Sequence, residues 1–170
     1  MMETDSLKSE SVFLFYEAII RKRVLRRGQY KMQEIQAKTI LKEMAELLSF
    51  VTQKSNEEYE KYMGLNQRKL FAYKLENKIV GCIGIELISG NLCEIKHIVV
   101  SPEERGQKIG SQMVQFVCKR FNLTSIFAET DQEAVGFYQK RGFDVESLGE
   151  KYPGRERFLC TLHIEKTSHL

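Results

Sequence analysis

The stretch Val99–Val114, VVSPEERGQKIGSQMV, holds the change of structure on which the reading of the chain turns. An apolar run ends at Ser101-Pro102, a charged turn follows, and an amphipathic pattern opens near Lys108. Between them stand Arg105, Gly106, Gln107, Lys108, Ile109 and Gly110, with Ser111 next. Proline leaves a central strand ladder and glycine accepts backbone angles closed to other residues, so the segment reads as strand, turn, helix. A helix N-terminus carries N–H groups without intrahelical partners and the positive end of the helix dipole. Two glycines and two cations at that place make an anion cradle, in which Arg105 and Lys108 add charge-assisted contacts to phosphate oxygens. Taken alone, the same residues also describe a plain surface turn. They match neither G-x-x-x-x-G-K-[ST] nor G-x-G-x-x-G, which excludes a Walker loop and a dinucleotide fingerprint.

On the C-terminal side, Lys108 to Arg120 reads as a helix with Ile109, Met113, Phe116, Val117 and Phe121 inward. Leu123 to Ala128 reads as a strand. Thr130 is expected to start a second helix through a T-x-x-E capping box with Glu133, and Gly142 to end it. Phe143–Leu148 and Arg157–Ile164 follow as strands joined through Tyr152-Pro153-Gly154. On the N-terminal side, Leu70–Leu75, Ile79–Leu87 and Leu92–Val100 form three strands of an antiparallel meander. Before them, Ala37, Ile40, Leu41, Met44, Leu48 and Val51 recur at helical spacing and predict a helix over Met32–Val51. Asn56 is expected to cap a short helix holding Tyr59, Tyr62 and Met63. Val12–Arg27 fits a helix or a strand, and residues 1–10 read as a frayed polar tail.

A chain of 170 residues, 42% hydrophobic and 29% charged, is the size and composition of one globular domain. A net charge of +3 suits a small anionic ligand and does not demand a nucleic acid. The basic run Arg21–Arg27 has no helix-turn-helix or zinc pattern behind it, so no nucleic-acid partner is expected. Val12–Ile20 contains Glu17, is too short to span a membrane and follows no basic leader. The four cysteines, Cys82, Cys93, Cys118 and Cys160, form no C-x-x-C pair, so reduced thiols, a cytoplasmic location and no metal are expected.

The order strand, R-x-x-K-x-G loop, helix, strand, then AVGFYQKRGF at Ala134–Phe143, resembles the GCN5-related N-acetyltransferase (GNAT) family over residues 68–164. In that family R/Q-x-x-G-x-G/A is the acetyl-CoA pyrophosphate loop, matched by Arg105 to Gly110 with Lys108 in place of the usual glycine. The family's FY-x-x-x-GF ending is matched in full by Phe137, Tyr138, Gly142 and Phe143. The resemblance implies an α/β fold: a central, mostly antiparallel mixed sheet of about six to seven strands flanked by about four helices. It implies one acetyltransferase domain over residues 1–170, with an N-terminal helical acceptor-side region at 11–66 and an acetyl-CoA core at 68–164.

The resemblance also assigns roles. The strand before the loop splays from its neighbour, and the pantetheine arm lies in the gap against backbone groups of Ile98, Val99 and Val100. The N–H near Val99 holds the thioester oxygen, where charge develops in the transition state. Asp131 stands where an asparagine often meets the pantetheine; an ionised carboxylate donates no hydrogen bond, so Asp131 is expected to cap the following helix. Tyr138 protonates the departing CoA thiolate, which a phenol with an ordinary pKa of about 10 can do at neutral pH; the bland alternative is a core tyrosine. Glu94 is the candidate general base and His97 the second candidate, the alternative for Glu94 being an ion pair with Lys96. Strict alternation puts Glu94, Lys96 and Ile98 on one face and Cys93, Ile95 and His97 on the other. Cys93 offers a covalent route, without a histidine at a motif spacing. The implied activity is acetyl transfer from acetyl-CoA to a primary amine of a small molecule, peptide or protein, directly in a ternary complex, in an enzyme of the small bacterial type. A non-catalytic acyl-CoA sensor is the alternative, and a homodimer is among the expected states.

Overall fold

The computed structural model describes residues 30–36 and 41–164. The readings at 1–10 and 12–27, the basic run, Ala37 and Ile40 lie outside the described residues. The elements are β1 (Tyr30–Glu34), α1 (Lys42–Ser49), α2 (Ser55–Gly64), β2 (Arg68–Leu75), β3 (Lys78–Leu87), β4 (Leu92–Val100), a 3-10 turn (Pro102–Glu104), α3 (Ile109–Arg120), β5 (Ser125–Asp131), α4 (Val135–Gln139), β6 (Asp144–Tyr152) and β7 (Arg155–His163). The strands make one seven-stranded sheet in the order β1-β2-β3-β4-β5-β7-β6. Every neighbouring pair is antiparallel except β4–β5. The mixed, mostly antiparallel sheet with four described helices agrees with the expected architecture.

Apolar residues alternate along the strands because successive side chains leave the sheet on opposite faces. Phe71 and Tyr73 join a core under α3 and α4 that includes Met113, Val117, Ile126 and Tyr138. Leu70 and Ala72 point the other way, into a second cluster with Met44, Leu48, Tyr59 and Tyr62 of α1 and α2. The sheet is thus covered on both faces, and the site is formed where its two halves part.

The meander is where the sequence places it. The expected helix over Met32–Val51 is not: its first residues form β1, paired with β2 in the register Met32↔Tyr73, and among its described residues only Lys42–Ser49 are helical. The edge of β2 offers a ladder of backbone partners and Tyr30 stacks on Tyr73 at 5.4 Å, and these tertiary contacts override the local helical spacing. The stripe survives in Met44 and Leu48, both fully buried. Asn56 is no cap: α2 starts at Ser55, and the Lys54 N–H before it is taken by Thr52 Oγ1 at 3.1 Å. The Thr130 capping box is also absent, since Thr130 lies in β5 opposite Phe158. Gly142 ends α4 at φ +78°, as expected of a glycine past a helix end.

Strand β4 breaks the assumed alternation. Ile95 faces Ile85 and His97 faces Gly84, so Lys96 is an extra residue, a β-bulge. Before it, Cys93 and Ile95 enter the α3 core; after it, Ile98 and Val100 pack on that same core, while Val99 enters the opposite cluster. His97 therefore turns toward the α1–α2 face, where it meets Tyr62. Gly84 makes room for this contact, because a Cβ there would overlap the Tyr62 hydroxyl and ring. Gly84→Ala is expected to cost about 1–3 kcal/mol of stability, as overpacking in a filled core does, measured by denaturant unfolding.

Candidate active site

β4 and β5 pair only at Leu92↔Ser125, Cys93↔Ile126 and Glu94↔Phe127. Beyond Glu94 the strands separate, and a cleft of about 900 Å³ opens between them. One wall is the β4 segment from Ile95 to Val100, the other is Glu129, Thr130 and Asp131 of β5. The outer end is closed by the loop into α3 and by α4, through Arg105, Gly106, Lys108, Ile109, Gly110, Ala134, Phe137, Tyr138 and Arg141. Phe50, Val51 and Thr52, between α1 and α2, also line it.

The loop holds its shape through backbone geometry. Gly106 sits at φ +79° and Lys108, the N-cap of α3, at φ +62°. Lys108 thus adopts a left-handed conformation that costs a residue with a Cβ about 1–2 kcal/mol. The first intrahelical acceptor is the Lys108 carbonyl, taken by the Gln112 N–H at 3.0 Å. The N–H groups of Ile109, Gly110 and Ser111 precede that bond and are the helix's orphan donors. Gly110 does not need a positive φ, contrary to the sequence reading. A Cβ there would come within 2.6 Å of the Phe137 ring, so glycine lets α4 close on α3. The Arg105 Nε–H donates to the Val100 carbonyl at 3.2 Å, tying the loop to the end of β4.

Among the residues singled out from sequence, Ile98, Val99, Val100, Arg105, Gly106, Lys108, Ile109, Gly110, Asp131, Phe137 and Tyr138 line this one cleft. Three do not. Gln107 donates to Glu104 at 2.6 Å, Ser111 accepts from Arg141 Nε at 2.7 Å, and Glu94 accepts from Lys96 Nζ at 2.8 Å. Asp131 Oδ1 accepts the backbone N–H of Glu133 and Ala134, each at 3.1 Å, so it closes the turn that leads into α4 and does not cap the helix itself, whose N-cap is Ala134. Arg141 was missed. Besides Ser111, it donates to the Phe137 carbonyl at 2.7 Å and lies 3.7 Å from the Phe137 ring centroid, adding a cation to the cleft. Its only sequence signal is its place inside FY-x-x-x-GF, at a position the motif leaves open.

Tyr138 is 4% exposed, packed edge-on to Phe137 at 5.0 Å and Phe143 at 5.2 Å. Burial pushes its phenol pKa well above the ordinary value, so it is a fully protonated donor in the cleft wall. Burial likewise pushes the Cys82 and Cys93 thiols up to about 12, and no cysteine lines the cleft. A thiolate nucleophile is therefore absent from this site. Glu129 is held below the usual carboxylate range by hydrogen bonds from Lys151 and Arg157.

His97 is in the wall, and burial, with Arg68, Lys96 and Lys61 nearby, holds its imidazole neutral to lower pH than usual, while Glu58 opposes this. The unfolded chain takes up a proton near the ordinary value of 6.5 that the folded chain refuses. This source of instability is therefore absent above that pH, grows as pH falls below it, and levels off under the folded value. His97→Gln is expected to flatten that part of the stability profile, read from denaturant midpoints across the range. Lys108→Gly is expected to raise stability by about 1 kcal/mol by relieving the left-handed backbone, read from the same unfolding curves.

A family model described as Acetyltransferase (GNAT) family matches residues 37–143. An uncharacterized N-acetyltransferase encoded in the lysA 3' region of Bacillus methanolicus is 36% identical over 74 residues, 41% of this chain and 62% of that one. The peptidyl-lysine N-acetyltransferase YjaB of Salmonella typhimurium is 33% identical over 78 residues, 42% of this chain and 52% of that one. The chain thus spans between half and two thirds of the length of these relatives. Among solved structures, a GNAT family acetyltransferase from Elizabethkingia anophelis with acetyl-CoA bound superposes with a TM-score of 0.62 at 23% identity, covering 81% of this chain and 100% of that one. That likeness establishes the fold, and the matched model spans most of the chain: this protein belongs to the acetyltransferase (GNAT) family.

Proposed function

We propose that the cleft binds acetyl-CoA and that the protein moves the acetyl group to a primary amine of a small molecule, peptide or protein. The observation that carries this reading is the β4 edge that no described strand pairs beyond Glu94, with the N-terminus of α3 in the same cleft. An extended amide chain adds to such an edge like a strand. Its pyrophosphate then reaches the orphan N–H groups of α3 with Arg105 and Lys108 beside them. Arg141 adds a third cation at that end. The acetyl-CoA-bound structure from Elizabethkingia anophelis has the same fold, and both curated relatives are named N-acetyltransferases.

In this reading the amine nitrogen attacks the thioester carbon and the C–S bond breaks. The donor to the developing oxyanion is a backbone N–H on the open edge of β4, that of Ile98 or Val100, because the Ser101–Val80 bond and the β3 register turn the Val99 N–H toward β3. Tyr138 gives its proton to the departing thiolate, and the amine proton passes through a water to Glu94, which stands at the point where β4 and β5 part. Direct transfer in a ternary complex is favoured because the cleft holds no cysteine. The whole chain acts as one acetyltransferase domain, in the cytoplasm of a bacterium, without nucleic acid or membrane as partner, and a homodimer is compatible with it. No described helix is long and apolar enough to cross a membrane, and no described cluster of side chains could hold a metal ion.

Calorimetric titration with acetyl-CoA is expected to show binding that Arg105→Ala and Lys108→Ala each weaken about tenfold or more, the loss of a charged hydrogen bond. Tyr138→Phe should lower turnover about 10²–10⁴-fold with acetyl-CoA affinity nearly kept. Glu94→Gln should lower turnover about 10²–10⁴-fold with acetyl-CoA affinity nearly kept. Tight binding without turnover on any amine of a broad panel would instead identify a non-catalytic acyl-CoA sensor.

A further inference from the structure

The Tyr62–His97 contact is built from three separate elements. The bulge at Lys96 turns His97 toward α2, Gly84 leaves the space across β3, and α2 delivers Tyr62, whose hydroxyl lies 2.6 Å from His97 Nδ1. The rings meet edge to face at 5.9 Å and 74°, and Arg68 lies 6.0 Å from the Tyr62 ring centroid. Tyr62 is 4% exposed, and His97 Nδ1 is the one hydrogen-bond partner of its hydroxyl among the described residues.

This settles which atom donates. A buried phenol O–H left without an acceptor costs about 1–3 kcal/mol, so the proton of Tyr62 points at its one partner. Nδ1 then accepts and, in a neutral imidazole, the ring proton must sit on Nε2. Both groups stay in the required state. Burial pushes the phenol pKa far up, and burial holds the imidazole neutral. The charged groups around the pair are Glu58, Arg68, Lys61 and Lys96 from α2, β2 and β4, with Glu86 of β3 bonded to Arg68 at 3.0 Å. Arg68 is in turn 3.2 Å from Glu58, so these charges are largely matched among themselves.

We infer that Tyr62 is a positioning residue that fixes His97 as the Nε2–H tautomer, so that His97 offers the cleft a neutral hydrogen-bond donor and not a basic lone pair. Its counterpart is an oxygen of the acceptor molecule near the reacting amine, such as a carbonyl. This assignment rests on the proposed acetyl-transfer reading for its use, since His97 lines the same cleft, but not for its geometry. It leaves proton removal to another group and explains why the one histidine in the wall need not be the base.

Long-range nitrogen–proton NMR of the histidine rings in the full chain tests it without any substrate. His97 is one of three histidines, and its signals are identified by their loss in His97→Gln. The expected result above the imidazole pKa is a protonated Nε2 and a bare Nδ1 in the wild type. In Tyr62→Phe the two tautomers should mix and the His97 pKa should rise, because the lost bond stabilised only the neutral ring. A protonated Nδ1 in the wild type would overturn the inference, because Tyr62 would then be the acceptor and Nε2 a free base. Since the readout needs no acetyl-CoA, it stands or falls apart from the activity. If transfer is also observed, His97→Gln, whose amide N–H mimics Nε2–H, should recover part of an acceptor KM that rises about tenfold in His97→Ala, one hydrogen bond's worth.

Discussion

Strand β4 is paired along both edges for three residues and along one edge for the rest of its length. Backbone N–H and C=O groups demand partners wherever water is scarce, so an edge opened inside a sheet is a standing offer of hydrogen bonds. The remaining features of the site follow from that gap. β5 departs to pair with β7 along its whole length, the loop after β4 leads into α3, and α4 residues line the opening. Close packing of Phe137 against Gly110 then brings Tyr138 and Arg141 into the same cleft as the α3 N-terminus.

The bulge at Lys96 gives the same strand a second function. Without it His97 would point into the apolar core beneath α3 with Ile95 and Cys93, where an imidazole would find no partner. With it, one extra residue moves His97 to the other face and into the reach of Tyr62, while Ile98 and Val100 return to the α3 core. The two faces of the sheet thereby divide the labour. The α3–α4 side supplies anion-binding backbone and the buried phenol of Tyr138; the α1–α2 side supplies Phe50, Val51, Tyr62 and the oriented imidazole.

Charges are treated differently at the two ends of the cleft. Arg157 and Lys151 are spent on Glu129, and Lys96 on Glu94, so the basic groups near the β4–β5 parting carry acidic partners. Among the described residues Lys108 has no ion pair and the Arg105 side chain binds only a carbonyl. Cations without anionic partners therefore gather at the α3 end, where the helix dipole adds to them, which is the arrangement a phosphate group requires.

What the sequence determined by itself was local. The strand–turn–helix of Val99–Val114, the three-strand meander and the FY-x-x-x-GF helix each depend on neighbours a few residues apart, and all are found in the structure. Tertiary structure alone decided the rest. Met32 lies in a strand because β2 offered it an unpaired edge, against a helical spacing that continued through Leu41 and Met44. Gly110 is required by Phe137, 27 positions away, and Gly84 by Tyr62, contacts that no local pattern encodes. His97 left its expected face because a bulge adds one residue to one strand, and the strand period of two turns such an addition into a change of side. The partner of a buried polar group is set by where distant elements pack, and so the Tyr62–His97 pair became visible only when the chain was folded.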